Sequence, residues 1–218
     1  MTKSYAMLPL LMLMSFTGIL HGARLPFNSS ELKLKLPVGC SDPPLGVSYQ
    51  IKYYSGIVNC GNLLLESDIG GTHPWIPPAI TFPMDDAPGS LYTLIYFDPY
   101  VNVPKNGSWP DCGTECTGTK APARHWVVGN IEVAMLKTGN LSAATTVSAF
   151  KGPSPPFGSH PYAQFLFKQS GTKKIDFTRL PSPTGIYNWD ILGFLSQYRL
   201  EDIVAYNWHV TQHTEPRQ

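Results

Sequence analysis

The sequence predicts a mainly-β fold around one core, and three observations predict it. The 21 prolines and 19 glycines are spread along the 218 residues, with no single linker collecting them. They punctuate short apolar runs at Val47–Tyr54, Ala79–Phe82, Leu91–Phe97, His125–Val128, Ala163–Phe167 and Ile203–Trp208. Those runs are rich in Val, Ile, Tyr, Phe and Trp, residues that suit a pleated, half-buried surface. No internal repeat, charge block or domain break interrupts the pattern.

The chain opens on Lys3 and the apolar run Leu8–Leu20, with small residues at Gly22 and Ala23. This is the pattern of a secretory signal peptide over residues 1–23, followed by one domain over 24–218. The apolar run is too short for a comfortable membrane span of ~20 residues, so no transmembrane segment is expected in the mature, secreted chain. Loss of Lys3 leaves basic and acidic side chains equal in number. That balance argues against an electrostatic grip on nucleic acid, and no polybasic patch is present for an anionic membrane.

Four cysteines remain, Cys40, Cys60, Cys112 and Cys116. In an oxidising compartment an even number favours disulfides. Cys112-Gly-Thr-Glu-Cys116 is short enough for a local bridge, which leaves Cys40 with Cys60. Four thiolates on zinc are the weaker alternative, because the two groups are not both Cys-x-x-Cys knuckles. Three Asn-x-Ser sequons, at Asn28, Asn106 and Asn140, are expected to be glycosylated on a secreted surface.

Later elements follow in order. Leu91–Pro104 is a long apolar strand ending at Asp98-Pro99, after which residues 105–122 read as an irregular surface loop. Ala123–Asn130 carries His125 at the mouth of a further strand. A second, short helix is expected near Asn140–Phe150, where Ser142-Ala-Ala begins. Gly152–Gln169, GPSPPFGSHPYAQFLFKQ, is a stiff Pro/Gly loop that delivers His160 and Tyr162 into an apolar strand. Asp190–Tyr198 is the clearest helix, capped by Asn188 or Asp190, with Ile191, Leu192, Leu195 and Tyr198 at helical spacing. Ile203–His209 alternates as a late strand.

The Gly-x-x-Pro-Pro-x-Gly-x-His-x-Tyr run and the Asp-Pro closing a Tyr-Thr-Leu strand carry a family signal. With His125 between them, their order and separation resemble the phosphatidylethanolamine-binding protein family, from about Pro78 to Val210 and faintly back to Leu45–Tyr49. The resemblance implies an antiparallel β-sandwich with short peripheral helices. It also implies a cavity rimmed by Asp98, His125, His160 and Tyr162, with Pro104 and Gly152 alongside, that takes phosphate-bearing groups including phospholipid headgroups.

Residue chemistry agrees with that implication. Two imidazoles and a phenol supply donors, each histidine can become cationic near neutral pH, and loop amides can add more. Asp98 would repel phosphate yet attract an ammonium, as in phosphoethanolamine. Plainer alternatives stand beside these: Asp98 can organise an Asp-Pro turn, and His125 can be a satisfied strand-end histidine. Tyr92, Trp75 and Phe165 read as core aromatics.

The chain departs from the family pattern at three places. Tyr100 stands where a second acid is usual, with Pro104 further along than expected. Pro161 replaces an arginine between His160 and Tyr162. Arg124 precedes His125 where an aromatic or histidine often lies, and it could strengthen anion binding or point to solvent.

The function expected is therefore binding of a phospholipid headgroup or phosphate-bearing small molecule by a secreted protein, without catalysis or cofactor. Extracellular serine-protease inhibition, or a role as an interaction protein with a vestigial pocket and an extracellular protein partner, is the alternative. A metal-dependent enzyme using His125, His160 and Asp98 is less well supported, since no HExxH, nucleophile elbow or P-loop is present.

Overall fold

A computed structural model describes residues 40–51, 54–69, 75–84, 86–103, 119–156, 158–179, 186–187 and 189–214. The signal-peptide segment, Asn28, Pro104, Asn106, Cys112 and Cys116 lie outside the described residues.

Two sheets face one another. The smaller holds β1 (Gly46–Ile51), β2 (Tyr54–Ile57) and β4 (Ala79–Thr81) in the order β2-β1-β4. The larger runs β3-β9-β8-β5-β6-β7, from β3 (Asn62–Leu65), β9 (Asp202–Gln212), β8 (Ser159–Lys168), β5 (Leu91–Val103), β6 (Thr119–Glu132) and β7 (Thr145–Ser148). Every pairing is antiparallel except β3 with β9. The run Val47–Tyr54, read from sequence as one strand, contributes to both β1 and β2, which pair with each other.

Between the sheets, Leu45, Val47, Tyr49 and Ile80 meet Tyr92, Leu94, Tyr96, Val128 and Leu166. The outer face of the large sheet is also covered. Ile95, Phe97, Phe165 and Phe167 pack under Phe177, Trp189 and the helix α3 (Ile191–Tyr198). Both faces of β5 are thus buried, which explains why Leu91–Phe97 is almost continuously apolar and does not alternate. Each large side chain so buried contributes roughly 1.5–3 kcal/mol of transfer free energy.

Helix α3 starts at Asp190, whose Oδ1 accepts the Gly193 N–H at 2.9 Å. A Cβ on residue 193 would sit 2.1 Å from that carboxylate, so glycine in this first turn makes room for the cap. A short helix α1 (Glu66–Ile69) follows β3. The second helix expected near Asn140–Phe150 lies earlier instead, as α2 (Val133–Thr138). Gly139 closes it in the left-handed region at φ 77°. Asn140 Oδ1 then accepts the Ser142 N–H at 3.0 Å, turning the chain into β7, where Thr145-Thr-Val favours a strand.

Cys40 and Cys60 form a disulfide, their Cα atoms 5.4 Å apart. Beside it the buried Asn207 on β9 donates through Nδ2 to the carbonyls of Leu45 (2.8 Å) and Val58 (2.9 Å). The start of the described chain and the turn after β2 are thereby fastened to the large sheet.

Candidate ligand-binding site

On β8, His160, Tyr162 and Gln164 alternate onto the inner face because side chains of a strand repeat every second residue. The register sets them opposite Thr211, His209 and Asn207 of β9. On the other side of β8, Phe97 pairs with Ala163, so Asp98 of β5 arrives next to the start of β8. There the Asp98 Oδ2 accepts a hydrogen bond from His160 Nδ1 at 2.6 Å, with the two residues 1% and 6% exposed. A contact that short is charge-assisted. It also fixes the ring, leaving Nε2 on the side away from the carboxylate.

His125, on β6, stands 5.0 Å ring to ring from Tyr162 at a near-perpendicular angle. Its Nδ1–H donates to the Lys151 carbonyl at 2.9 Å. Burial lowers the His125 pKa below that of an ordinary histidine, partly offset by the Lys151 and Gly152 carbonyls and the Asp98 charge. It is therefore neutral at pH 7, with Nε2 as the second nitrogen. Burial, and next the Asp98 carboxylate, raise the Tyr162 pKa well above the phenol range, so Tyr162 keeps its proton as a donor. Asp98, His125, His160, Tyr162 and the buried Gly152 thus come together.

The loop from Gly152 is tied down at its far end by β9. The His213 N–H donates to the Gly158 carbonyl at 2.7 Å, and His213 Nδ1 sits 2.9 Å from the Pro155 carbonyl and 2.8 Å from Glu66 Oε2. Pro161, where the family pattern has an arginine, alternates to the opposite side of β8 from His160 and Tyr162. That departure leaves the inner face unaltered. Arg124 does not join the cluster either; its guanidinium lies 5.9 Å over the Trp189 ring, on the outer face. Its Nε is buried without a hydrogen-bond partner among the described residues.

A polar floor underlies the cluster that sequence reasoning missed. His209 stacks on Tyr162 at 5.7 Å; its Nε2 is 3.4 Å from Tyr96 Oη and its Nδ1 3.3 Å from Gln164 Nε2. Tyr96 Oη in turn lies 3.3 Å from Tyr49 Oη on the small sheet. Burial, aided by repulsion from His125, pushes the His209 pKa down to about 3. The available signal was the polar series Asn207, His209, Thr211 at alternate positions of a strand whose alternate residues should be apolar. Glu66 and His213 carried no such signal, each being an isolated polar residue far apart in sequence.

Among the described residues no group of three or more His, Cys, Asp or Glu side chains has metal-holding geometry. A separate open groove of about 720 Å³ lies next door, lined in part by Trp75, Pro78, Trp126, Asn140 and Phe150. Trp75 therefore lines a surface groove, whereas Phe165 and Tyr92 are in the core, Tyr92 also donating to Asp86.

The sequence model for phosphatidylethanolamine-binding protein matches residues 58–208, a span that includes all four cluster residues. The chain belongs to the phosphatidylethanolamine-binding protein family. Solved structures agree at the level of the fold. A carboxypeptidase Y inhibitor, determined in complex with its cognate proteinase, superposes with TM-score 0.53 at 17% identity over 78% of this chain and 83% of that one. A phosphatidylethanolamine-binding protein from Plasmodium falciparum gives TM-score 0.52 at 23% identity over 77% of this chain and 84% of that one. At such identities the likeness is one of architecture: two sheets, few short helices.

Proposed function

We propose that this member of the phosphatidylethanolamine-binding protein family binds a phosphate-bearing small molecule or phospholipid headgroup at Asp98, His125, His160 and Tyr162. The observation that carries the reading is the 2.6 Å Asp98–His160 pair beside a buried histidine and phenol under one proline-rich loop. A phosphate entering there meets the Tyr162 hydroxyl and two imidazoles, and its charge favours the imidazolium forms, so binding takes up protons. Asp98, already committed to His160, acts first as the group that orients that ring.

The chain acts outside the cytosol, delivered by the signal peptide over residues 1–23. The Cys40–Cys60 disulfide is compatible with that, and no helix of the described residues is long and apolar enough to cross a membrane. Calorimetric titration of the secreted protein with phosphoethanolamine and inorganic phosphate tests the site. Saturable binding that disappears in His160→Ala supports it, and no heat with either ligand refutes it.

A second reading, proteinase inhibition through a protein partner, is favoured by the shared architecture with the carboxypeptidase Y inhibitor. Residual activity of a carboxypeptidase and an endopeptidase panel, measured with the protein in excess, decides it.

A further inference from the structure

Tyr187 lies beside β6, its neighbours in sequence held to that strand by backbone hydrogen bonds. The Arg124 N–H donates to the Ile186 carbonyl at 2.7 Å, and the Trp189 N–H donates to the Pro122 carbonyl at 3.1 Å. Ile186, Tyr187 and Trp189 therefore form a strap along the edge of β6, where β7, whose pairing covers only Val127–Gly129, has given out. Ala123, midway along that edge, is the register partner of Asp98 on β5. Strap, β6 and β5 lie side by side at the level of Asp98, roughly 4.8 Å from one to the next. Opposed side chains of a tyrosine and an aspartate can bridge two such spacings.

The electrostatics agree with that placement. The Tyr187 pKa is raised, first by partial burial and then by the Asp98 carboxylate, and Tyr187 in turn raises that of Tyr162. Yet Tyr187 is 42% exposed, while Asp98, His125, His160 and Tyr162 are 1%, 3%, 6% and 1% exposed. A phenol on the solvent side of an otherwise buried polar cluster is placed to cover whatever enters it.

We propose that Tyr187 is a specificity-determining residue of the pocket, its hydroxyl donating to a phosphate oxygen of the ligand and its ring shielding that bond from water. The inference rests on the phosphate-binding reading given above. The chemistry it recognises, a phosphate ester or free phosphate, has two sources, a lipid headgroup and a soluble metabolite. A neutral phenol donating to an anion makes a charge-assisted bond, stronger than a neutral one.

The test uses the full secreted chain, with Tyr187→Phe to remove only the hydroxyl and Tyr187→Ala to remove the ring as well. Each is titrated with inorganic phosphate and phosphoethanolamine, and sedimented with phosphatidylcholine vesicles with and without phosphatidylethanolamine. Tyr187→Phe is expected to weaken binding about tenfold, the scale of one hydrogen bond to a charged group, with the melting temperature unchanged. Loss on soluble ligands identifies a free phosphate compound; loss on vesicles alone identifies the lipid headgroup; both support the inference. Wild type and Tyr187→Phe binding alike overturns it while leaving the pocket reading intact. No binding by wild type to any of these probes overturns both.

Discussion

Acidification should destabilise this protein through His209, by an amount the structure sets. His209 is fully buried with its folded pKa pushed down to about 3, against 6.5 for an ordinary histidine. Above pH 6.5 both folded and unfolded chains hold it neutral and it makes no difference. Below that, the unfolded chain takes up a proton that the folded chain refuses, so stability falls with pH until about pH 3. Between pH 7 and pH 5 the loss from this one group is about 2 kcal/mol, since each pKa unit is worth ~1.4 kcal/mol. For a domain of this size that is a fall of ~4–8 °C in Tm. Carboxylates and the depressed His125 also contribute, so the informative quantity is a difference. His209→Gln keeps a hydrogen-bonding group against Tyr96 and cannot titrate. Thermal melts at pH 7 and pH 5 should show the variant losing several degrees less than wild type. Equal losses in the two proteins would refute the assignment of a neutral, proton-refusing imidazole beneath Tyr162.

Three further outcomes follow. Asp98→Asn removes the charged acceptor that orients His160 and should weaken phosphoethanolamine binding by tenfold or more by calorimetry, the scale of a hydrogen bond to a charged group. Replacing Cys40 and Cys60 by serine opens a loop spanning 20 residues and should cost about 3 kcal/mol in a denaturant titration. Asn140 is exposed and presents its sequon in a turn, so protein from a secreting host should lose mass on glycosidase treatment, and the Asn140→Gln variant should lose one glycan less.

Much of the architecture was legible because long strands repeat simple patterns. Leu91–Phe97 and Ala163–Phe167 read as strands whichever face they bury, and Ile191, Leu195 and Tyr198 read as a helix because their spacing matches its turn. The second helix was misplaced because Val133–Thr138 is only six residues long and its N-cap, Glu132, makes no side-chain capping bond, so only Gly139 marks one of its ends. β7 escaped because Thr145–Ser148 is a short, mostly polar edge strand. Within the site, His160 and Tyr162 could be paired from sequence alone, two residues apart on one strand. Asp98 and His125 joined them only through the family resemblance, since no local rule links strands so far apart. His209 left one trace, the polar series Asn207, His209, Thr211 on β9, whereas Tyr187 left none, because its place beside β6 comes from backbone contacts with a distant strand.

The position of β9 has a consequence for how the parts of the fold are coupled. Though the final strand described, it lies second in the large sheet, between β3 and β8. It also supplies Asn207, which grips the beginning of the described fold, and His209, which stacks beneath Tyr162. Displacing that strand would separate β3 from β8 and take away the floor beneath Tyr162 at the same time. A substitution that loosens β9 should therefore disturb the hold on Leu45 and Val58 and the ring stacked against Tyr162 together, not one at a time.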